Sequence, residues 1–258
     1  MSWSSRFLKG FGILFVVVMT GVPSHTLQAS DQFENRQEGY PTSLQSLAGA
    51  LHGQYLEGKV STQLLLQLAE ISLDMGDDLY TRDTERLRSY REGAEFASQA
   101  LTLDRRNAAA HFLYAANLGH VAQLRGIIAA ALSINEIMFH VKAAVSLDSS
   151  HAPALHMLGM MYDGLPWIMG GDSEKARHYL QLAVAADRNY SHARLNLAKL
   201  YLTRKNHDLA RHELEAVLAT QSPRSQYAWS RYHVPEAQEL LSALPYKGRT
   251  VGAGFQAR

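Results

Sequence analysis

Apolar residues recur every three or four positions along nearly the whole chain after Ser43, which is the period of an amphipathic α-helix. No stretch alternates apolar and polar residues between hairpin turns, so the pattern contains no clear strand signal. The spacing predicts ten helices, at residues 44–56, 62–73, 85–103, 108–124, 127–147, 153–162, 173–186, 191–203, 207–218 and 235–244. The predicted fold is therefore all-α.

The helix predicted over 127–147 differs from the others because it is apolar on almost every side. Its apolar sequence is interrupted only by Ser133, Asn135, Glu136, His140, Lys142 and Ser146. A helix that is hydrophobic all round is usually buried on all sides. We therefore expect this helix to be a central, buried element.

Small residues recur at a constant interval across successive helices. The intervals from Ala100 to Ala115, from Ala144 to Gly159 and from Ala183 to Ala198 are each 15 residues. Self-similarity at a fixed period is the signature of a repeat architecture. The chain is therefore predicted to stack similar helix pairs.

The residues around these positions resemble the tetratricopeptide repeat, which has a large residue, Leu-Gly and Tyr on one helix and Ala with a large apolar residue on its partner. The best copy comprises Leu155, Leu158, Gly159 and Tyr162, followed by Ala176, Leu180 and Ala183. The next comprises Arg194, Leu197, Ala198 and Tyr201, followed by Ala210, Leu214 and Val217. A less regular copy comprises His111, Tyr114, Ala115 and Leu118, followed by Ile137, Val141 and Ala144, and a first copy survives as Gly93, Ala97 and Ala100.

This resemblance implies a right-handed superhelical stack of antiparallel helix hairpins, a tetratricopeptide-like solenoid. Small side chains at Gly159, Ala176, Ala198 and Ala210 would allow paired helices to approach closely, while the large residues fill the space between repeats.

The stretch GLPWIMGGD, from Gly164, lies in a hairpin turn that is longer than its counterpart. The interval from Gly159 to Ala176 is 17 residues, whereas Ala198 to Ala210 is 12. Pro166 should end the first helix, Gly170 and Gly171 should supply backbone angles closed to other residues, and Asp172 should cap the next helix.

The lengthened turn also contains three large apolar residues in a row, Trp167, Ile168 and Met169. One interpretation is that they fold back over the edge of the repeat, which we favour because large exposed apolar patches are rare. The other is that they form a contact surface for a partner protein or for a second subunit of the same kind.

In tetratricopeptide proteins, positions two, five and nine of each first helix typically line the concave face. Here the resemblance assigns Phe112, His156, Met160, His192, Leu195 and Lys199 to that face. The set is mildly apolar and has no cluster of basic residues, so we expect it to suit a protein partner or a small apolar organic ligand.

The first 29 residues have the features of a secretory signal peptide. Arg6 and Lys9 precede an apolar run over 11–19, which is too short to span a membrane, and small and polar residues follow. Cleavage is expected after Ala29, with Ser24 as an alternative. The mature chain should then be soluble in the periplasm or secreted, with no membrane span.

The remaining chain is divided into an N-terminal helical extension over 30–59, a repeat domain over 60–222, a capping helix over 223–245 and a flexible tail over 246–258. With no cysteine, an exported chain of this kind must be stabilised by packing alone.

Charge and motif patterns exclude several function classes. Lys and Arg total 25 against 24 Asp and Glu, for a net charge of +1, so nucleic acid is not an expected partner. The 12 histidines include no pair three or four residues apart on a helix, so we expect solvated or capping histidines and no metal. The Gly170-Gly171 pair lacks the Lys-Ser/Thr of a phosphate loop, and no strand precedes Ser173 to make it a nucleophile. We therefore predict a non-catalytic protein without a cofactor.

Two family resemblances narrow the function. The segments LGHVAQLRG, GGDSEKA and AQELL resemble the T component of TRAP transporters, which implies pairing with a periplasmic substrate-binding protein that handles small organic ligands. The segments AANLGHVAQLRG and HVKAAVSLDSSHAPALHMLG are similar to the eukaryotic regulator of microtubule dynamics proteins. The signal peptide favours the resemblance to the TRAP T component, and therefore an exported binding scaffold. The alternative function is a protein–protein adaptor in envelope assembly that binds no small ligand. The sequence is compatible with a monomer and with a homo-oligomer.

Overall fold

The computed structural model describes residues 39–245, in which every regular element is helical. The helices are α1 Ser43–Leu56, α2 Thr62–Asp74, α3 Asp83–Leu103, α4 Ala108–Leu124, α5 Ile127–Leu147, α6 Ala152–Gly164, α7 Ser173–Ala186, α8 Ser191–Thr203, α9 His207–Leu218 and α10 Val234–Ala243. A π-helical turn, Met75–Leu79, extends α2, and a second, Trp229–His233, leads into α10. The all-α prediction is confirmed, and each of the ten predicted helices is present.

The helices pack as four antiparallel hairpins, α2 with α3, α4 with α5, α6 with α7 and α8 with α9. Each hairpin stacks on the next to form the predicted solenoid, while α1 packs against α2 at one end and α10 against α9 at the other. The predicted leader over 1–29 and tail over 246–258 lie outside the described residues.

The connections between hairpins share one local hydrogen bond, in which an aspartate side chain accepts from the backbone. Asp104, Asp148 and Asp187 each follow the last residue of a second helix and have extended backbone angles. Each carboxylate accepts a hydrogen bond from the backbone N–H two residues later, at 2.9–3.0 Å. Such a local bond competes with continuation of the helix, so the chain turns at the same point in each repeat.

In the first two of these three connections, the next helix begins at a residue whose side chain accepts a hydrogen bond from the first turn. Asn107 accepts from the Ala110 N–H at 2.9 Å, and the His151 ring nitrogen Nδ1 accepts from the Ala154 N–H at 3.2 Å.

The small residues lie in the helix seams as expected. Gly159, Ala176, Ala198 and Ala210 are all buried. A Cβ atom on Gly159 would stand 2.9 Å from Leu180 Cγ and 3.2 Å from the Ala176 carbonyl oxygen, closer than side chains normally pack. The prediction that these positions set the spacing of the helices is confirmed.

The prediction that helix 127–147 is buried on all sides is wrong. One face of α5 packs on α4 through Ala130, Ile134, Ile137, Val141 and Ala144. The opposite face is open, because a second helix in a hairpin stack has the partner helix on one side and solvent on the other. Among residues 39–245, α5 is the one helix long and apolar enough to cross a bilayer, at mean hydropathy 1.4, but its packed face belongs to the repeat core.

The segment before α10 contacts the N-terminal end of the described chain. The rings of Tyr40 and Tyr227 are in edge contact at 5.0 Å, and the Tyr40 hydroxyl donates a hydrogen bond to Asp78 at the end of the first repeat helix. Arg224 binds Asp187 at 3.0 Å, which ties the segment before α10 to the α7–α8 connection. The segment 224–233 therefore runs from the third hairpin toward the first and covers part of the inner face.

The Gly159 seam leads to a prediction about stability. A Gly-to-Ala change inside a helix ordinarily stabilises by about 0.5–1 kcal/mol, but Gly159→Ala should destabilise by about 1–3 kcal/mol because the added methyl has no room. Gly49→Ala on α1 is the matched control, since nothing lies within 4 Å of its added Cβ, and it should stabilise. Urea unfolding of both variants measures the difference. Equal effects in the two variants would mean that the seam is not tight.

Candidate functional site

The residues predicted to line a concave binding face are mostly buried. Phe112, His156, Met160, His192 and Leu195 are all in the interior. Lys199 is partly exposed, and its ammonium forms an ion pair with Glu236 of α10 at 2.5 Å. The expected open groove is therefore wrong for the described chain, because neighbouring repeats and the C-terminal segment cover these positions. A binding role for the six residues stays a prediction.

The covered face contains a buried network of polar rings. Asn196 Nδ2 donates to His156 Nε2 at 2.8 Å, and the other ring nitrogen of His156 lies 3.0 Å from the Tyr190 hydroxyl. His192 stacks on His233 with ring centroids 5.0 Å apart, so the C-terminal segment closes directly over the α8 residue. We call the three rings of His156, His192 and His233 the histidine cluster.

Burial keeps the inner histidines uncharged. It lowers the pKa of His156 to about 3 and that of His233 to about 4, and the nearby Lys199 cation acts in the same direction. The pKa of His151 is lowered to about 4 by burial and by Arg224. The prediction of solvated or capping histidines therefore holds for the cap at His151 and for the exposed histidines elsewhere in the described chain, and it is wrong for the cluster.

A second buried polar network surrounds the first π-helical turn. The Tyr90 hydroxyl donates to Asp77 at 2.7 Å, and His120 stacks on Tyr90 with 4.2 Å between centroids. Burial raises the pKa of Asp77 well above its usual range and lowers that of His120 to about 3, so both groups favour the uncharged form. The described residues contain no group of three or more His, Asp or Glu that could hold a metal ion. We interpret this network as part of the core.

The lengthened turn has a defined, hydrogen-bonded conformation that joins α6 to α7, as predicted. Trp167–Met169 forms a single 3₁₀ turn, and Asp172 accepts hydrogen bonds from the N–H groups of Glu174 and Lys175 at 3.0 Å. Gly170 has a φ of 91°, a conformation that favours glycine. Gly171 was predicted to supply an unusual backbone angle, but the structure shows a steric requirement. A Cβ atom at this position would stand 1.7 Å from the Leu165 carbonyl oxygen.

The apolar side chains of this turn face solvent. Trp167 is 84% exposed, Ile168 63% and Met169 38%. The favoured interpretation, that they fold back over the repeat edge, is wrong. A ring of this size on a turn held at both ends by backbone hydrogen bonds costs little conformational entropy on binding. The structure thus favours the alternative of a contact surface, which we call the Trp167 turn.

The outer face of α5 forms a second exposed apolar surface. Ile128, Leu132 and Phe139 are 75%, 80% and 65% exposed, and Asn135 is exposed between them. The four residues are spaced by four, three and four positions, which places them in one line along the helix. We call this line the α5 stripe. Sequence reasoning missed it, although apolar residues on every side of one helix were a signal that one face lacks a partner within the fold.

A groove runs beside the stripe, between α3 and α5. Its volume of about 660 Å³ lies within the range of small-ligand sites, and it is lined in part by Leu101, Phe139 and Leu147. At its base the ring nitrogens of His111 and His140 are 2.8 Å apart. Beside them the Tyr114 hydroxyl donates to Glu136 at 2.7 Å. We call it the α3–α5 groove.

These features define the class of protein. The stack aligns with a solved thermophilic tetratricopeptide-repeat protein of Thermus thermophilus at TM-score 0.60, over 81% of this chain and 96% of that one, with 16% identity. A tetratricopeptide-repeat model matches residues 168–229. The chain is a helical-repeat protein of the tetratricopeptide class, a fold suited to protein–protein interaction.

The match that shows the family of this chain lies in its first two thirds, at residues 26–162. The model described as Regulator of microtubule dynamics protein 1-3 matches residues 26–162, more than half of the 258 residues, and the chain belongs to this family. Regulator of microtubule dynamics protein 1 of Bos taurus is 30% identical over 173 residues, covering 61% of this chain and 54% of that protein. The chain thus spans about half the length of this curated relative. The resemblance to the regulator family is confirmed, while that to the TRAP T component stays a prediction.

The buried histidines predict a loss of stability in acid. In the unfolded chain a histidine has a pKa near 6.5, whereas His151, His156 and His233 have folded values of about 3 to 4. Between these values the unfolded state binds more protons, so stability is lost as pH falls from about 6.5 toward 4, by up to about 1.4 kcal/mol per pH unit for each histidine. Urea unfolding at pH 7, 6 and 5 measures the slope.

Asp77 has a raised pKa and acts in the opposite direction, so a variant is needed to isolate the histidines. His233→Gln should reduce the slope, while His207→Gln, at an exposed position, should leave it unchanged. An equal slope in the wild type and in His233→Gln would contradict the prediction.

Proposed function

We propose that this protein is an exported, non-catalytic scaffold that binds a protein partner through its exposed apolar surface rather than through its inner face. The observation that carries the proposal is the exposure of Trp167 and Ile168 on a turn whose backbone is held at both ends. Aromatic residues presented on rigid elements supply much of the free energy of protein–protein binding.

The topology of the stack supports a continuous surface. The first helices of successive hairpins run parallel, so their turns lie along the same edge. Helix α5 has 21 residues and α6 has 13, so α5 extends about 12 Å further toward that edge. The Trp167 turn and the N-terminal half of the α5 stripe therefore both lie toward this edge of the stack.

The non-catalytic assignment rests on the chemistry of the polar networks. Both networks are buried, and burial lowers the pKa of His120 and of His156 to about 3, so neither network presents a nucleophile and a base to a substrate.

The resemblance to the T component of TRAP transporters supports a more specific form of this proposal, in which the partner is a periplasmic substrate-binding protein and a small organic ligand is passed between them. Native mass spectrometry tests this form, since a retained organic molecule supports it. A bare chain with a co-purifying protein supports the alternative of an adaptor in envelope assembly. The name of the Bos taurus relative adds regulation of microtubule dynamics as a third role, and the net charge of +1 supplies no strong attraction to an acidic partner.

Export is tested by the mass of the protein recovered from its own cells. We expect a mature chain that begins at residue 30, or at residue 25 if cleavage follows Ser24. Recovery of the uncut chain from the cytoplasmic fraction would contradict export while leaving the binding surface untouched.

The contact surface is tested by Trp167→Asp. Since the side chain is 84% exposed, the free energy of unfolding should change by less than about 0.5 kcal/mol. Affinity for the partner should fall by about 30-fold or more, the loss typical of a central aromatic residue. Affinity is measured by calorimetry with the partner captured from native cells.

Leu56→Asp is the matched control for this variant. Leu56 is 82% exposed on α1, away from the proposed surface, so its substitution should leave both stability and binding unchanged. A Trp167→Asp variant that unfolds, or that binds with unchanged affinity, would contradict the proposal.

A further inference from the structure

We infer that the α3–α5 groove binds a small organic acid, a molecule with an apolar body and a single carboxylate that is held by His140 and Arg105. The inference rests on the proposed function in one respect, since that function allows a small organic ligand. It does not involve the Trp167 turn, whose residues do not line the groove.

The groove has the size and the mixed lining of a small-molecule site. Its volume is about 660 Å³, and Leu101 of α3 and Phe139, Ala143 and Leu147 of α5 give it apolar walls. Its polar groups are gathered at the base, where α4 contributes two rings. A ligand that fills this space therefore needs an apolar body and one polar end.

The hydrogen bonds at the base determine which nitrogen of His140 a ligand can reach. His111 Nε2 lies 3.1 Å from the carbonyl oxygen of Arg105, which can only accept, so this nitrogen carries a hydrogen. In the uncharged form of His111, Nδ1 is then an acceptor, and it lies 2.8 Å from Nδ1 of His140. His140 Nδ1 must donate. The remaining nitrogen of His140, Nε2, is therefore an acceptor that points away from His111.

One proton converts this nitrogen from an acceptor into a charged donor. His140 is half-buried, and burial together with His111 lowers its pKa, so the free ring is uncharged at neutral pH. A proton added to Nε2 leaves the bond to His111 intact, because Nδ1 keeps its own hydrogen. The protonated ring then offers an N–H group and a positive charge to a ligand.

A carboxylate makes better use of this ring than an alcohol or an amine does. Those groups can only donate a neutral hydrogen bond to Nε2, whereas a carboxylate that binds together with a proton forms a charge-assisted bond, which is about twice as strong. The bond from His111 to the Arg105 carbonyl holds Arg105 at the same part of the groove. Its guanidinium is a permanent cation with the planar geometry that matches a carboxylate.

The surrounding charges favour a ligand with a single negative charge. The titratable and charged groups that face His140 are Glu136 on its own helix, His111 and Tyr114 on α4, and Arg105 before α4. The residues of α3 in the lining carry no charge. Glu136 accepts a hydrogen bond from the Tyr114 hydroxyl and favours the charged form of His140. With His140 protonated, two positive charges face one negative charge, and the site can balance one more.

The first test compares two probes of the same shape, 4-phenylbutyrate and its uncharged amide, 4-phenylbutyramide. The purified protein should bind the acid with a Kd below about 1 mM, and the amide at least about tenfold more weakly. The difference is expected because only the acid can pair with the two cations. Isothermal titration calorimetry measures both affinities.

Proton uptake distinguishes this site from unspecific apolar binding. The probe is ionised above about pH 6, so any proton bound with it is taken up by the protein. Titrations in two buffers with different ionisation enthalpies should show net proton uptake at neutral pH. The carboxylate raises the pKa of His140 in the complex above that in the free protein. Affinity should therefore fall as pH rises from about 6 to about 8, by up to about tenfold per pH unit.

Two variants separate the roles of the two residues. His140→Gln retains an amide that can donate to His111 but cannot titrate, so affinity should fall at least about tenfold near pH 6 and its pH dependence should vanish. Arg105→Gln lies at an exposed position and retains the backbone carbonyl. It should weaken binding about threefold or more, while proton uptake remains. His207→Gln, at an exposed position outside the groove, is the control and should bind like the wild type.

Several results would overturn the inference: no binding of 4-phenylbutyrate at about 10 mM, equal affinity for the acid and the amide, or binding without proton uptake. A folded His140→Gln variant that retains the pH dependence would also overturn it. If that variant does not fold, the two probes, proton uptake by the wild type and Arg105→Gln decide the matter. Failure of the probe leaves the contact surface standing, since Trp167→Asp tests that surface with the captured protein.

Discussion

The structure depends on the close approach of paired helices at a few positions without side-chain bulk. Gly159 lies against Leu180 and the Ala176 carbonyl with no room for a methyl group, and Ala198 and Ala210 are buried at the corresponding seam of the next hairpin. Dispersion and hydrophobic burial both require contact within about 4–4.5 Å, so a wider seam would reduce the packing of every large residue around it. Since the chain has no cysteine, nothing covalent would compensate.

Closure of the stack determines where binding can occur. In an open solenoid the concave face is the usual binding surface, but here His233 stacks on His192 and Tyr227 contacts Tyr40. The inner face is therefore used for intramolecular packing. Polar rings in such an interior must be hydrogen-bonded and neutral, and the His156 contacts with Asn196 and Tyr190 meet the first requirement. The surface left for partners is the outer one.

That outer surface combines two elements that look unrelated along the chain. The Trp167 turn arises from extra residues in one hairpin, and the α5 stripe arises from a long apolar helix in the preceding hairpin. Both face solvent, and they belong to successive hairpins that pack against each other. Membership in the regulator of microtubule dynamics family covers the hairpin that carries the stripe, while the tetratricopeptide match begins at Ile168, within the turn.

The sequence by itself determined the helices, their pairing and the seam residues, because these follow from local periodicity and from small residues repeated at one interval. It also located the Trp167 turn, since a change in spacing is visible without coordinates. Only the tertiary structure decided which faces are covered. Helix α5 is apolar all round whether it is central or half-exposed, and His156 carries no local sign that His192, Asn196 and a distant segment will enclose it. Burial depends on residues far apart in the chain, and the hydrophobic pattern of one helix does not specify them.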